Sequence, residues 1–331
     1  MPWKNPWYDP QLAHHLPNGF CNIEPGRRQP GDLKRWRRMR REQGLPFPPD
    51  DGYPGFIARW WQYADICGNE DAVWWLGHAT LLLRINGRYL LTDPVFSHRA
   101  SPLRFWGPQR RTPLALVPDD LPQLDAVLIS HNHYDHLDSA SIRLLHRRFP
   151  HAAFLVPAGL GTWFRRRGIH QVVERDWWQN HELNGITLTA VPARHWSMRT
   201  PWDRNRSLWC GWVVEWASRR FWFSGDTGYS DLLLEIPQRL GALDGAAIPI
   251  GAYEPRWFMR DHHMGPQEAV ALWRAIGRPL AIPIHWGVFE LADESLDAPP
   301  RELCAALSAV GEQEAAFRPL RIGQYLAIAR E

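Results

Sequence analysis

Ala126-Val127-Leu128-Ile129-Ser130-His131-Asn132-His133-Tyr134-Asp135-His136-Leu137-Asp138 is the stretch on which the reading of this chain turns. Four apolar residues read as a short buried strand, and the polar run behind them reads as the loop at its end. That loop packs three imidazoles and an aspartate into six positions. His131 and His133 lie two residues apart on one side of a turning chain, while Asp135 and His136 come round on the other. One loop can therefore serve two cations, and neutral imidazole with carboxylate is the donor set that zinc favours.

Three more polar residues follow apolar strand-like runs. They are His195 after 186–191, Asp226 after 221–223 and His285 after 280–284. Loops at strand ends converge on one rim of a sheet. The economical assignment gives one metal His131, His133 and His195, gives the other Asp135, His136 and His285, and makes Asp226 the bridge. Two divalent cations sharing a water or hydroxide supply a nucleophile near neutral pH, so hydrolysis is the expected reaction. His78 and Asp93 read as residues that orient ligands rather than bind metal.

The surrounding pattern is mixed. Val73-Trp74-Trp75-Leu76 and Leu81-Leu82-Leu83-Arg84-Ile85 flank a Gly-His turn, and Asn86-Gly87 leads into Tyr89-Leu90-Leu91, which together predict antiparallel hairpins. Further strands are expected at 126–129, 153–156, 186–191, 212–216, 221–223, 246–250 and 280–284. Helices are expected at 139–148, 159–167, 231–240, 266–276 and 301–310. Strands interleaved with helices after an opening set of strands predict a sheet-rich core covered by helices. Residues 1–71, rich in Pro, Gly and Arg, read as an extension, and 72–331 as the hydrolase domain.

Composition narrows the class. A 331-residue chain with 45% hydrophobic residues can bury a large core, and a formal charge of +3 gives no polyanion-binding signature. Cys21, Cys67, Cys210 and Cys304 form no paired framework and read as free thiols of a reducing compartment. The N-terminus carries no apolar signal region and no run reaches the ~18 residues of a spanning helix, which predicts a soluble, cytoplasmic protein. Twenty tryptophans are a heavy use of a side chain that suits cores, grooves and membrane interfaces alike. Leu33-Lys34-Arg35-Trp36-Arg37-Arg38-Met39-Arg40-Arg41 reads either as a headgroup-binding surface, with Trp36 inserting between cations, or as a solvated helix face.

The segments Leu76-Gly77-His78-Ala79-Thr80, Leu91-Thr92-Asp93-Pro94, Ser130 to Asp138, Ala193-Arg194-His195-Trp196-Ser197, Phe223 to Tyr229 and Ile282 to Gly287 resemble those of the metallo-β-lactamase superfamily. Within it, Ala247 to Met259 and the 129–138 stretch look like the N-acyl-phosphatidylethanolamine-hydrolysing phospholipase D family and its bacterial relatives. The resemblance runs from about Trp74 to Tyr325. It implies an α/β (α+β) four-layer αββα sandwich, two Zn2+ per chain on the seven ligands already assigned, and hydrolysis of a phospholipid phosphodiester. A metal-bridging hydroxide would attack phosphorus, giving N-acylethanolamine and phosphatidic acid.

The family's H-x-x-P-x-E-A histidine corresponds to His263, ahead of Pro266, Glu268 and Ala269. Asp135, Asp226 and His263 are then the expected catalytic residues, with Tyr134, Tyr229 and His263 expected to touch substrate. Trp177-Trp178 and Trp257-Phe258-Met259 are candidates for an acyl groove. The expected partners are a phospholipid and a membrane surface approached from the cytoplasm, with no nucleic acid and, by resemblance, a homodimer. Two other readings stand beside this one: a dinuclear hydrolase of a lactone, cyclic phosphodiester or nucleic-acid phosphodiester, and a metal-containing lipid-binding protein without turnover.

Overall fold

Alternation within the first strands shows how the layers form. In the computed structural model, which describes residues 3–312 and 316–328, Ala72–Gly77 and Thr80–Ile85 are buried along their whole length. The outermost residues of the expected extension (1–2) and of the expected domain (329–331), with 313–315, lie outside the described residues. Val73, Trp75, Leu81 and Leu83 point into a core shared with the second sheet, whereas Trp74, Leu76 and Leu82 point into a second core under helices. A sheet covered on both faces needs continuous apolar runs, and that is what the sequence shows.

The first sheet contains β3 (Ala72–Gly77), β4 (Thr80–Ile85), β5 (Arg88–Thr92), β6 (Ala126–Leu128), β7 (Ala153–Pro157), β8 (Val172–Arg175) and β15 (Tyr325–Ala327), in the order β15-β3-β4-β5-β6-β7-β8. The second contains β9 (Asn180–Leu183), β10 (Ile186–Val191), β11 (Gly211–Trp216), β12 (Arg219–Phe223), β13 (Gly245–Pro249) and β14 (Leu280–Ile284), in the order β14-β13-β12-β11-β10-β9. A two-residue pair, β1 (His15–Leu16) with β2 (Gly19–Phe20), precedes both. Helices α3 (Ser139–Arg148) and α4 (Gly161–Arg165) cover the first sheet through Ile142, Leu145 and Phe164. On the second sheet, α7 (Pro266–Ala275) and α8 (Ala298–Ala309) bury Leu272, Trp273, Leu303 and Leu307. The result is the αββα sandwich.

Asn86-Gly87 makes the expected hairpin, with φ of 50° and 73° at its two central residues, the conformation that an Asn-Gly type I′ turn requires. The helix expected at 159–167 contracts to α4, and 231–240 divides into a 3-10 turn, Asp231–Leu234, followed by α5 (Glu235–Leu240). The helix expected from 301 begins three residues earlier, with Pro299 and Pro300 in its first turn, where a missing N–H costs nothing. Strands β8 and β9 carry half-exposed polar residues at sheet edges and lack the apolar run that marked the others.

Before residue 72 lie two helices, α1 (Asp32–Gln43) and α2 (Gly52–Trp60). The basic run is α1, and Trp36 is turned inward. Its indole stacks on Phe258 at 5.0 Å between ring centres and donates Nε1–H to Asp293 at 2.9 Å. Phe258 belongs to the short helix α6 (Arg256–Met259). Trp36 is therefore not an inserting side chain, because its ring and its N–H are both already engaged. Lys34, Arg37, Arg38 and Arg41 remain on the exposed face. No helix among the described residues is long and apolar enough to cross a membrane.

Candidate metal centre

Strand ends deliver the donors. The loop after β6 carries His131, His133, Asp135 and His136; His195 follows β10, Asp226 follows β12, and His285 follows β14. The structure brings all seven together. His131 Nε2 and His195 Nε2 lie 2.8 and 3.1 Å from His133 Nδ1, so three ring nitrogens face one point. On the other side, Asp135 Oδ2 lies 3.4 Å from His136 Nε2 and 3.5 Å from His285 Nε2. Asp226 Oδ2 stands between the groups, at 3.0 Å from His285, 3.1 Å from His136, 3.7 Å from His195 and 3.9 Å from His131.

These residues fit a pair of metal ions. Ligands held at about 2.0–2.2 Å from a tetrahedral ion lie roughly 3–3.5 Å from one another, the spacing seen here. His133 Nε2, His136 Nε2, His285 Nε2 and Asp226 Oδ1 are buried without a hydrogen-bond partner among the described residues. Buried polar atoms left unpaired are costly, and a cation on the convergent His136 and His285 nitrogens would remove that cost for both.

The opposite edges of the rings are tied. His136 Nδ1 donates to Asp93 Oδ2 at 2.6 Å, and His195 Nδ1 donates to the carbonyl of His262 at 2.9 Å. Ser130 Oγ lies 2.9 Å from His131 Nδ1 and 2.5 Å from Asp93 Oδ2, while Ser130 N–H donates to Asp93 Oδ1 at 2.7 Å. Such partners fix the tautomer and leave the inward nitrogen free to bind metal. Asp93 thus orients the His136 ring and His78 the Asp135 carboxylate, with His78 Nε2 3.0 Å from Asp135 Oδ2. His78, Asp93 and His285 all take positive φ (53°, 33° and 66°), and backbone strain of this kind concentrates where surrounding structure overrides local preference.

Electrostatics divide the imidazoles: His131, His133 and His195 are held neutral, whereas His136 and His285 are raised, against burial, by the carboxylates they face. Burial, reinforced by neighbouring imidazoles, holds His131 well below its ordinary value, His133 at about 3 and His195 at about 4. Around His285 burial acts in the same sense, but the Asp226 and Asp135 carboxylates outweigh it and raise the group to about 9. Against burial, imidazoles led by His136 hold the Asp135 and Asp226 carboxyls well below their usual range.

His263 Nδ1 is 4.0 Å from Asp226 Oδ2 and has no hydrogen-bond partner among the described residues; its side chain keeps 14% exposure. Burial holds it neutral, which makes it a donor of an N–H rather than a cationic acid. Tyr134 turns away from the donors, giving its hydroxyl to the carbonyl of Arg199 at 3.0 Å. Tyr229 lines a separate cavity of about 220 Å³ with Glu24, Arg194 and Arg260. Trp177 is buried and stacks on His14, while Trp257 lies under the Arg35 guanidinium, so neither aromatic cluster is gathered at the metal donors.

Sequence reading missed Asn22. Its Nδ2 donates to the carbonyl of His195 at 2.8 Å and its Oδ1 accepts from His195 N–H at 3.2 Å, bracketing a ligand 173 positions away. No local pattern marks such a residue. The tryptophans find a role here too: Trp209 donates to Ala193 O, Trp212 to Ile129 O and Trp75 to His78 O, so indole N–H groups satisfy carbonyls beside the ligand loops.

Fold and site together define a metallo-hydrolase. The chain matches the beta-lactamase superfamily domain over residues 88–286 and belongs to that superfamily. It is 42% identical over 238 residues to N-acyl-phosphatidylethanolamine-hydrolyzing phospholipase D 1 of Caenorhabditis elegans, covering 69% of this chain and 67% of that protein. It is 34% identical over 242 residues to the mitochondrial N-acyl-phosphatidylethanolamine-hydrolyzing phospholipase D of Saccharomyces cerevisiae, covering 69% of this chain and 50% of that protein. The aligned region thus spans between half and two thirds of these relatives. A metallo hydrolase of Ignicoccus hospitalis shares the fold, with a TM-score of 0.60, 20% identity, and coverage of 79% of this chain and 99% of that one.

Proposed function

We propose that the protein is a dinuclear zinc phosphodiesterase of phospholipase D type, acting on N-acyl-phosphatidylethanolamine-like lipids. The observation that carries this reading is the place of Asp226 Oδ2, within 3.0–3.9 Å of nitrogens from both donor groups. An oxygen donor between two histidine clusters suits a pair of ions and phosphate-type chemistry. The names of the worm and yeast relatives add the substrate class. When bound, two such ions lower the pKa of a shared water and neutralise charge on phosphate oxygens.

The chain's own groups supply the rest. His131, His133 and His195 would hold one ion, Asp135, His136 and His285 the other, with Asp226 common to both. Asp93, Ser130 and the His262 carbonyl keep the rings oriented. His133, Asp135 and His263 are the partly exposed members of the cluster and mark the side open to substrate. There, His263 donates a hydrogen bond to a phosphate oxygen. The oxygen of a water bonds to phosphorus as the bond to the ethanolamine oxygen breaks, and the proton which that water gives up goes to the leaving N-acylethanolamine oxygen, phosphatidic acid remaining. Contact with the membrane comes through the exposed cations of α1, each worth roughly 1 kcal/mol near an anionic surface.

The test is metal analysis together with hydrolysis of N-acyl-phosphatidylethanolamine in vesicles. About two zinc ions per chain are expected, and Asp226→Asn should lower metal content and abolish release of N-acylethanolamine. Hydrolysis of a lactone or a soluble phosphodiester, with the lipid untouched, would transfer the same metal centre to another substrate. Full metal loading without turnover would mark a lipid-binding protein instead.

A further inference from the structure

Behind the metal loop lies a cavity of about 1010 Å³ that none of the seven metal donors lines. Asn132 and Tyr134, which alternate with the donors along the loop, form part of its wall. Six arginines surround it against two carboxylates, Glu174 and Asp203. Both carboxylates are committed. Glu174 accepts from the N–H groups of Gly159 and Gly161 and pairs with Arg165, and Asp203 accepts from the N–H groups of Arg199 and Thr200.

None of the remaining cations has a carboxylate within ion-pair distance among the described residues, although Asp138 and Asp203 act on Arg199 from further off. The exposed side chains of Arg143 and Arg166 have no hydrogen-bond or ion-pair partner among the described residues. Arg167 lies 3.8 Å above the Trp163 ring, and Arg199 lies 4.0 Å above the Tyr134 ring with Nη1 bound to the carbonyls of Asn132 (2.8 Å) and Leu137 (2.7 Å). Rings that hold guanidiniums in place reduce the ordering cost of binding an anion. Two buried polar atoms of the wall, Ser207 Oγ and Asn132 Oδ1, also lack a partner among the described residues. A hydroxyl and a carboxamide that can turn its N–H2 inward add neutral donors to the charged ones.

We infer that this cavity is a second binding site, distinct from the metal centre, for a dianionic phosphate group, whether on a soluble phosphomonoester or on a lipid headgroup. Guanidinium forks match phosphate oxygens two at a time, and several of them around one cavity select a doubly charged phosphate over a singly charged ion. The inference does not rest on the phosphodiesterase reading. Arg199 joins the site to the metal loop, so an occupant would also stiffen the backbone between His131 and Leu137.

Phenylglyoxal modification of the purified, metal-loaded protein, mapped by peptide mass spectrometry, tests this. Inorganic pyrophosphate at low salt should slow modification of Arg143 and Arg166, and the protection should persist in His263→Ala. In calorimetry, Arg143→Gln combined with Arg166→Gln should weaken pyrophosphate binding about a hundredfold, as loss of two charge-assisted hydrogen bonds implies, with metal content unchanged. Protection by glycerol 3-phosphate would support a soluble ligand, and protection by vesicles containing phosphatidic acid, without glycerol 3-phosphate acting, would support a headgroup. The inference fails if pyrophosphate protects neither arginine. It also fails if chloride at equal ionic strength or phosphatidylcholine vesicles protect as well, or if protection vanishes in His263→Ala. None of these outcomes depends on lipid hydrolysis, so the two proposals stand or fall separately.

Discussion

Replacing Asp93 with Asn should loosen the metal centre without touching a metal ligand. Asp93 is fully buried and takes three hydrogen bonds, from Ser130 N–H at 2.7 Å, Ser130 Oγ at 2.5 Å and His136 Nδ1 at 2.6 Å. Burial pushes its carboxyl up, and the hydrogen bonds from His136 and Ser130 pull part of the way back. Asparagine keeps one oxygen, which can still serve Ser130 N–H, but sets an N–H2 against His136 Nδ1–H. The ring then gains by moving its proton to Nε2, the nitrogen that faces Asp226. At about 1.5–3 kcal/mol for a hydrogen bond to a charged group, losing one weakens binding at the His136 side about 10–150-fold. That range agrees with the 10–100-fold that changes in such supporting residues typically cost. Competition with a chromogenic chelator measures it directly, with Asp93→Ala as a comparison that also leaves a void. Metal affinity within about twofold of the parent protein would show that His136 is oriented by something other than Asp93.

Other outcomes follow from the same geometry. Gly225 has φ of 59°, and a Cβ there would come within 2.5 Å of Ser130 Cβ, so Gly225→Ala should cost about 2–4 kcal/mol in thermal unfolding and reduce metal binding through its neighbour Asp226. Parent-like melting and metal content would contradict this. His14 Nε2 and His15 Nε2 lie 2.8 and 2.7 Å from the two oxygens of Asp176, which therefore anchors the first twenty or so residues. Burial opposes ionisation of Asp176, but hydrogen bonds led by that from His14 win and keep its pKa below the ordinary value. A folded pKa below the unfolded one gives stability that is present above about pH 4 and lost as pH falls further. Limited proteolysis should accordingly find this segment protected from pH 5 to 8 and cleavable in more acid solution, and cleavable throughout in Asp176→Asn. Trp36→Ala should destabilise the packing of α1 on Phe258, while Arg37→Gln with Arg38→Gln should weaken co-sedimentation with anionic vesicles; the reverse pattern would restore an inserting role to Trp36.

Local order determined what could be read from the sequence alone. The H-x-H-x-D-H loop behind Ala126–Ile129 and the polar residues ending the runs at 186–191, 221–223 and 280–284 disclosed the donors, because a strand end is a local event and a ligand loop keeps its composition. The Asn-Gly hairpin was legible for the same reason. What only the tertiary structure decided are relations between distant segments. Asn22 brackets His195 across 173 positions, and Trp36 faces Phe258 instead of a membrane. Tyr134 gives its hydroxyl to the Arg199 carbonyl, a partner 65 positions away. The arginines behind the metal loop come from α3, the end of α4 and the turn after it, and the 199–206 segment, and they form one positive cavity only when folded. No periodicity encodes such encounters: they depend on which strand ends and helix faces the closed sandwich places side by side, and that is fixed by packing of the whole chain.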